Sequence, residues 1–250
     1  MQLNTIQFSI AAQAAWAPDL ETPEAWQAWE HAPYVLAGDA EPRLPDMPAM
    51  LRRRAGGLGK MALEVAYRCL NSLPVEQREN IPTVFCSRHG DVQRATELLN
   101  NLTRQEPLSP TSFGLAVHNA TAGLLSIARH DQASHAAVAA GNSSVEHAVI
   151  EACSQLADGA PMVLLVVCDT TLPQVFSAFQ DSLEQPHAWA WLMVPAAQNV
   201  LQLSWQASAL AAVAHEMPAS LQVLKFFLSD DADYQRHDGR LKWHWDRHVG

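Results

Sequence analysis

Three residues near the middle of the chain have the types and spacing for nucleophilic chemistry. In AVAAGNSSVEHAVIEA, from Ala137 to Ala152, a small-residue strand meets a tight turn at Gly141 and enters a helix. Ser143 and Ser144 stand at the helix start, with His147 about one turn on, where an imidazole could activate a hydroxyl. A strand-to-helix elbow is where many enzymes display a nucleophile. The apex residue here is Asn142, which is no nucleophile. There is no G-x-S-x-G pattern, and no spacing that places a third, orienting acid. Serine and asparagine at a helix start are ordinary caps, and both serines read that way.

Other groups invite metals or phosphates. Among eleven histidines, His244 and His248 lie four apart, but H-E-x-x-H is absent and the tail alternates like a strand, so no metal site is expected. His89, in SRHG after a strand, stands where sites collect in α/β sheets, although a structural hydrogen bond explains it as well. Ala55-Gly56-Gly57-Leu58-Gly59-Lys60 is glycine-rich but is followed by Met61 rather than Ser or Thr, and it follows irregular chain rather than a strand. Arg52-Arg53-Arg54 reads as a solvated face, with a contact to an anion or a carrier protein as the alternative.

The 250 residues carry a net charge of −10, which disfavours nucleic-acid binding, since that needs clustered Lys and Arg. With 48% hydrophobic and 17% charged residues, the chain can bury a large core and leave apolar surface for a partner. Cys69, Cys86, Cys153 and Cys168 have no C-x-x-C spacing and sit in apolar contexts, as reduced thiols of a cytoplasmic protein would. No signal peptide and no membrane-spanning run is expected.

The elements that must position the elbow follow from periodicity. Strands are expected at Thr5–Ala11, Ile81–Ser87, Ala136–Ala140 and Met162–Cys168. Helices are expected around Pro23–Glu30 (capped by Thr22), Met61–Leu70, Asp91–Leu102, Ser109–Arg129 and Ser143–Ala157. Strand and helix alternating over about 90 residues imply a mostly parallel sheet with helices on both faces. Beyond Pro173, Trp189–Val194 and Val200–Trp205 could pair across the Pro195–Asn199 turn. Leu221–Leu228 is open between helix and strand, and Leu241, Trp243 and Trp245 suit a final edge strand.

SPTSFGLAVHNATAGLLSIARH, then SHAAVAAGNSSVEHAVIEACSQLADGAPMVLLVV, resembles the N-terminal half of β-ketoacyl synthases. With PDMPAMLRRRAGGLGKMALEVA and VFCSRHGDVQRATELL, it is more closely similar to short ketoacyl-synthase-like proteins that serve as chain-length-factor partners in aryl-polyene pigment clusters. The resemblance covers most of residues 1–170 and fades in 171–250. It implies one domain over 1–250, α/β, with half of a thiolase-like fold.

The resemblance also assigns positions. Aligned without gaps, the family's nucleophilic cysteine falls on Asn142 and Gly159 matches the glycine before the next strand, whereas a one-residue shift puts Gly141 at the nucleophile. Neither can form a thioester, and Cys153 lies about three turns further on. The family's two catalytic histidines belong to a second half for which this chain leaves no room. The implied role is a non-catalytic subunit of a heterodimer with an active ketosynthase. It would need no cofactor and would meet an acyl carrier protein only indirectly. Ser134 to Ala140, with Ser134, Ala136, Val138 and Ala140, would pair across the two-fold axis, and His118, Asn119, Ala120 and Gly123 would pack nearby. Thr111, Ser112, Phe113 and Leu115 would reach the partner's acyl tunnel, with Phe113 the first candidate for setting chain length. A free-standing Ser/His hydrolase or acyltransferase, or a carrier-binding module, is the alternative.

Overall fold

The computed structural model describes residues 4–210 and 216–248. In chain order the elements are β1 (Asn4–Trp16), α1 (Pro23–His31), α2 (Ala49–Arg52), α3 (Gly57–Asn71), β2 (Thr83–Cys86), α4 (Val92–Thr103), α5 (Pro110–Gly114), α6 (Ala120–Arg129) and β3 (His135–Val138). There follow α7 (Ser144–Ala157), β4 (Val163–Asp169), β5 (His187–Pro195), β6 (Val200–Ala207), α8 (Ala219–Leu228), β7 (Asp233–His237) and β8 (Leu241–His248). The strands form one sheet in the order β3-β2-β4-β5-β1-β6-β8-β7.

Alternation builds the layers. In β4, Val163, Leu165 and Val167 face one side and Leu164, Val166 and Cys168 the other, all buried. In β5, Trp189, Trp191 and Met193 share the side of α7 and α8, while Ala188, Ala190 and Leu192 face α3. The small alanines let α3 lie close, and the Cys69 thiol reaches the Ala190 carbonyl at 3.3 Å. The glycines opening α3 are likewise explained by close approach. A Cβ on Gly56 would stand 2.8 Å from the Asp91 carboxylate, and one on Gly59 3.3 Å from the Thr121 hydroxyl.

The expected helices on both faces are present, but the sheet is mixed rather than mostly parallel. Among the described residues only β2–β3 and β2–β4 pair in parallel, and every other pairing is antiparallel. The alternation that suggested parallel units ends at β4, and the strands that follow it pair antiparallel. The predicted pairing of Trp189–Val194 with Val200–Trp205 does not form, because β1 lies between β5 and β6 and pairs with both. At 13 residues β1 is longer than periodicity indicated, and the Ser9 hydroxyl fastens the 195–199 turn through Gln198 O and Ala197 N. The tail strand β8 is interior, with Trp243 and Trp245 buried, and β7 takes the edge. The expected long helix Ser109–Arg129 is two helices broken after Gly114. Leu221–Leu228 is helical as α8, and Thr22 caps α1 through Ala25 N–H at 3.2 Å. Among the described residues no helix is long and apolar enough to cross a membrane.

Candidate functional site

The elbow stands where predicted, between β3 and α7. Gly141 has φ +59°, a conformation that glycine adopts without strain. The Ser144 hydroxyl donates to the Gly141 carbonyl at 2.7 Å and accepts from Ala140 N–H at 2.9 Å, so Ser144 is a local brace. Asn142 sits between the two, and its carbonyl accepts from Arg236 Nη2 at 2.8 Å. Gly159 lies in the turn after α7 with φ +103°, leading toward β4.

Ser143 is only 2% exposed, and its hydroxyl donates to Asp238 while accepting from the Trp243 indole at 3.0 Å. His147 Nδ1 contacts the Ser143 carbonyl oxygen at 2.9 Å rather than its hydroxyl, and its ring stands edge-on to Trp243. His147 therefore addresses neither serine hydroxyl. Partial burial alone would raise the Asp238 pKa. The Ser143 hydroxyl, the Leu241 and Arg240 amides and the Trp243 indole outweigh burial and bring it down to about 2. Asp238 is a fixed anion that holds the Ser143 hydroxyl as its hydrogen-bond donor.

Beneath the elbow Arg236 reaches from β7 to Glu146 on α7, 2.9 Å apart, both side chains wholly buried. Glu146 Oε2 and Arg236 Nε have no further partner. Sequence reading passed over this pair, Asp238 and the acids below. One signal was present: Glu146 lies at helical spacing with Val149 and Cys153, a charge on an apolar face.

Beside the elbow is a cavity of about 20 Å³ lined by Arg88, Asn142, Ser144, Asp169, Ser182, Glu184 and Ser220, among others. That is room for about one water molecule and none for an acyl chain. Asp169, at the end of β4, accepts from the Ser87 hydroxyl at 3.0 Å and Arg88 N–H at 2.8 Å. Burial lifts its pKa to about 7 against those hydrogen bonds. Arg88 reaches Asp181 and Glu184, and His89 Nε2 lies 3.8 Å from Glu184 without a hydrogen bond. His187 is held neutral, its pKa lowered by burial to about 4, between Gln185 O and the Ser220 hydroxyl. Burial pushes Cys69 and Cys153 up to about 12 and lifts Cys86 and Cys168 well above the ordinary thiol value, so none is a thiolate nucleophile near neutral pH.

The other sequence candidates are placed as follows. Phe113 is 65% exposed on α5, beside Thr111 and Ser112, and Leu115 follows in the turn to α6. His118 Nε2 contacts the Ser87 carbonyl at 2.8 Å and its ring packs on Gly90, fixing the α5–α6 corner to the turn after β2. Asn119 precedes α6, Ala120 opens it, and Gly123 lies along it with open space where a Cβ would be. Ala136 and Val138 are half-buried on β3, the strand at one end of the sheet, with Ser134 and Ala140 just outside it. Arg52 and Arg53 bond to nearby carbonyls, and Lys60 pairs with Glu41, leaving no cradle of cations. His244 lies between Asp233 and Asp246, 3.1 Å from each. Among the described residues no three His, Cys, Asp or Glu side chains converge as metal ligands.

A family model described as the β-ketoacyl synthase N-terminal domain matches residues 26–246. No curated protein matches the chain in sequence. The chain is similar to a chain of the ketosynthase ApeO in complex with its chain length factor ApeC from Xenorhabdus doucetiae, at 27% identity and TM-score 0.81, over 97% of this chain and 100% of that one. It aligns with a chain of the ishigamide ketosynthase/chain length factor at 13% identity and TM-score 0.65, over 98% and 100%. It also aligns with a chain of AntDE:AntF, a type II polyketide acyl carrier protein in complex with its ketosynthase, at 9% identity and TM-score 0.70, over 96% and 99%. The last two likenesses concern the fold alone.

Proposed function

The chain belongs to the β-ketoacyl synthase N-terminal domain family and has its thiolase-like fold, and on that premise we propose that it is a chain-length-factor subunit that makes no acyl thioester itself. One observation carries this reading. The elbow is intact, but its apex is Asn142 and its neighbouring hydroxyl, Ser143, is consumed by Asp238 and Trp243. Acyl transfer needs a nucleophile that can be activated, and the elbow offers none. The full match to a chain of a ketosynthase and chain length factor complex supports the same role.

The partner in this reading is an active ketosynthase, and the product class an aryl polyene. The chain acts as one unit over 1–250, without cofactor, in the cytoplasm, and meets the acyl carrier protein through that partner. β3 pairs across the interface, and His118, Asn119, Ala120, Gly123, Ser134, Ala136, Val138 and Ala140 lie in or near it. Phe113, with Thr111, Ser112 and Leu115, caps the partner's acyl tunnel. Leu99, Leu102, Phe113, Val117 and Ile127, all exposed on α4 to α6 and the corner between α5 and α6, provide apolar surface that a partner would cover.

Light scattering on the chain co-expressed with a ketosynthase tests the reading. The expected result is a 1:1 complex, and two independent species would overturn it. Within that complex, Phe113→Ala is expected to lengthen the product, and an unchanged product distribution removes Phe113 as the gate. A serine-reactive fluorophosphonate is expected to leave Ser143 and Ser144 unlabelled. Labelling lost in Ser143→Ala or Ser144→Ala would restore the hydrolase alternative.

A further inference from the structure

Asp169 and Glu184 are both buried, at 8% and 5% exposure, and they come from different parts of the chain. Asp169 ends β4, whereas Glu184 closes the irregular segment that leads into β5. Arg88 and His89 stand with them, both from the turn after β2. Arg88 is shared between Glu184 and the more exposed Asp181, and its Nη2 lies 3.4 Å from the Phe179 carbonyl. His89 has no hydrogen bond for Nε2. The remaining ionisable neighbours add no positive charge: His187, paired with Asp169 across β4 and β5, is neutral, and Cys86 and Cys168 are thiols. With every acid ionised, Asp169, Asp181 and Glu184 would face one permanent cation. Such an excess of buried negative charge is relieved by a proton or by water.

The element able to admit water is the segment from Leu172 to Gln185. Its short 3-10 helix, Gln174–Phe179, has no buried residue, and Val175, Phe179 and Leu183 are exposed. It is fastened by Arg88 at Asp181 and Phe179, and by Leu183 N–H on the Glu216 carbonyl at 3.1 Å. Ser182 and Glu184 form one wall of the small cavity beside Asn142.

We propose that Asp169, Glu184 and Arg88 form a proton-controlled latch: a proton on Asp169 keeps the 172–185 segment closed over the elbow cavity, and its loss releases the segment. The sign follows from linkage. Closed, Asp169 holds its proton up to about pH 7 because it is buried and faces Glu184. Released and solvated, it returns to the ordinary range near about 4. The closed state therefore binds the proton more tightly and is favoured at low pH. Its advantage falls as pH rises from about 4 to about 7 and is then constant.

Amide hydrogen exchange on the intact protein, corrected for the intrinsic pH dependence of exchange, is the test. Between about pH 6 and about pH 8, protection of the 172–185 amides is expected to fall about tenfold in the wild type, the change a one-unit shift in protonation free energy produces. In Asp169→Asn the segment is expected to stay protected at both pH values. In Glu184→Gln, which removes the facing charge, the fall is expected to shrink. Amides of α3 report that each variant is folded. A wild-type segment that does not respond, or an equal response in both variants, overturns the latch. The test needs no ketosynthase, so its outcome is separate from that of the proposed function.

Discussion

The two edges of the sheet are built by opposite rules. β7 reads Asp-Tyr-Gln-Arg-His, and β3 reads His-Ala-Ala-Val. An unpaired strand is a template for another strand, and proteins that must stay apart put charge and bulk there. β7 follows that rule: Asp233 is engaged by His244, and Arg236 is turned inward onto Glu146. β3 ignores it. After His135 its side chains are small and apolar, α6 packs beside it, and exposed apolar residues on α4 to α6 adjoin it in the chain. One edge is closed by its own chemistry, and the other is fit to be closed by a partner.

The sharpest way to break this contrast is Ala137→Pro. Thr83 N–H bonds to Ser134 O and Ser87 N–H to Val138 O, so even-numbered residues turn their backbone toward β2. Alternation then points the Ala137 amide at the open edge. Proline removes that donor and leaves the β2 ladder intact. Binding to an active ketosynthase, measured by titration calorimetry, is expected to weaken by at least about tenfold, or ~1.4 kcal/mol, with the thermal midpoint of the free chain little changed. Undiminished affinity would mean that β3 is not the pairing edge.

At the closed edge the corresponding lesion acts on stability. Arg236→Ala leaves Glu146 buried and uncompensated and the Asn142 carbonyl without its donor. A loss of about 3–5 kcal/mol in urea unfolding is expected, with much of it recovered in Arg236→Met combined with Glu146→Leu. A loss below about 1 kcal/mol would show that β7 does not hold the elbow.

These two lesions also show what the sequence could and could not disclose. The elbow, β2, β4 and the helices on both faces were legible because each is a local pattern: a turn glycine, a continuous apolar run, a capped amphipathic stretch. β3 was legible as a strand in its own residues, and a pairing role for it was implied only through resemblance. The order of the remaining strands was not, because β1 pairs with residues almost 200 positions away and nothing in its own alternation names its neighbours. The tail's Leu-Trp-Trp alternation gave a strand but could not say which side would be covered, and β7, polar throughout, was missed. The partners of the elbow were hidden for the same reason. Asp238 and Arg236 are ordinary surface residue types until the fold carries them about 95 positions back to Ser143 and Glu146.

A smaller effect belongs to Asp238. Its folded pKa of about 2 is below the ordinary carboxylate value, so its contribution is present above about pH 4 and is lost as pH falls toward 2. Asp238→Asn keeps an acceptor for Ser143 and Trp243 but loses the charge and the acceptor for the Arg240 and Leu241 amides. Because the carboxylate is only partly buried, a loss of about 1 kcal/mol is expected at neutral pH. The gap between wild type and variant should narrow as urea titrations are moved down through about pH 4 to 3. A gap that does not depend on pH would assign the loss to packing rather than to the fixed anion.

The smallest effect sharpens the contrast from the other side. If polarity closes β7, then Asp233→Val with Gln235→Val should partly open it. Both side chains are exposed, and the Asp233–His244 pair is a surface contact worth a few tenths of a kcal/mol, so the fold should hold. Valine at both positions gives the edge the β-branched character that favours strand addition. Sedimentation should then show weak, concentration-dependent self-association that the parent lacks when β3 is occupied by its partner. No new association would mean that β7 is closed by geometry, through the inward pull of Arg236 on its backbone, rather than by the polarity of its exposed side chains.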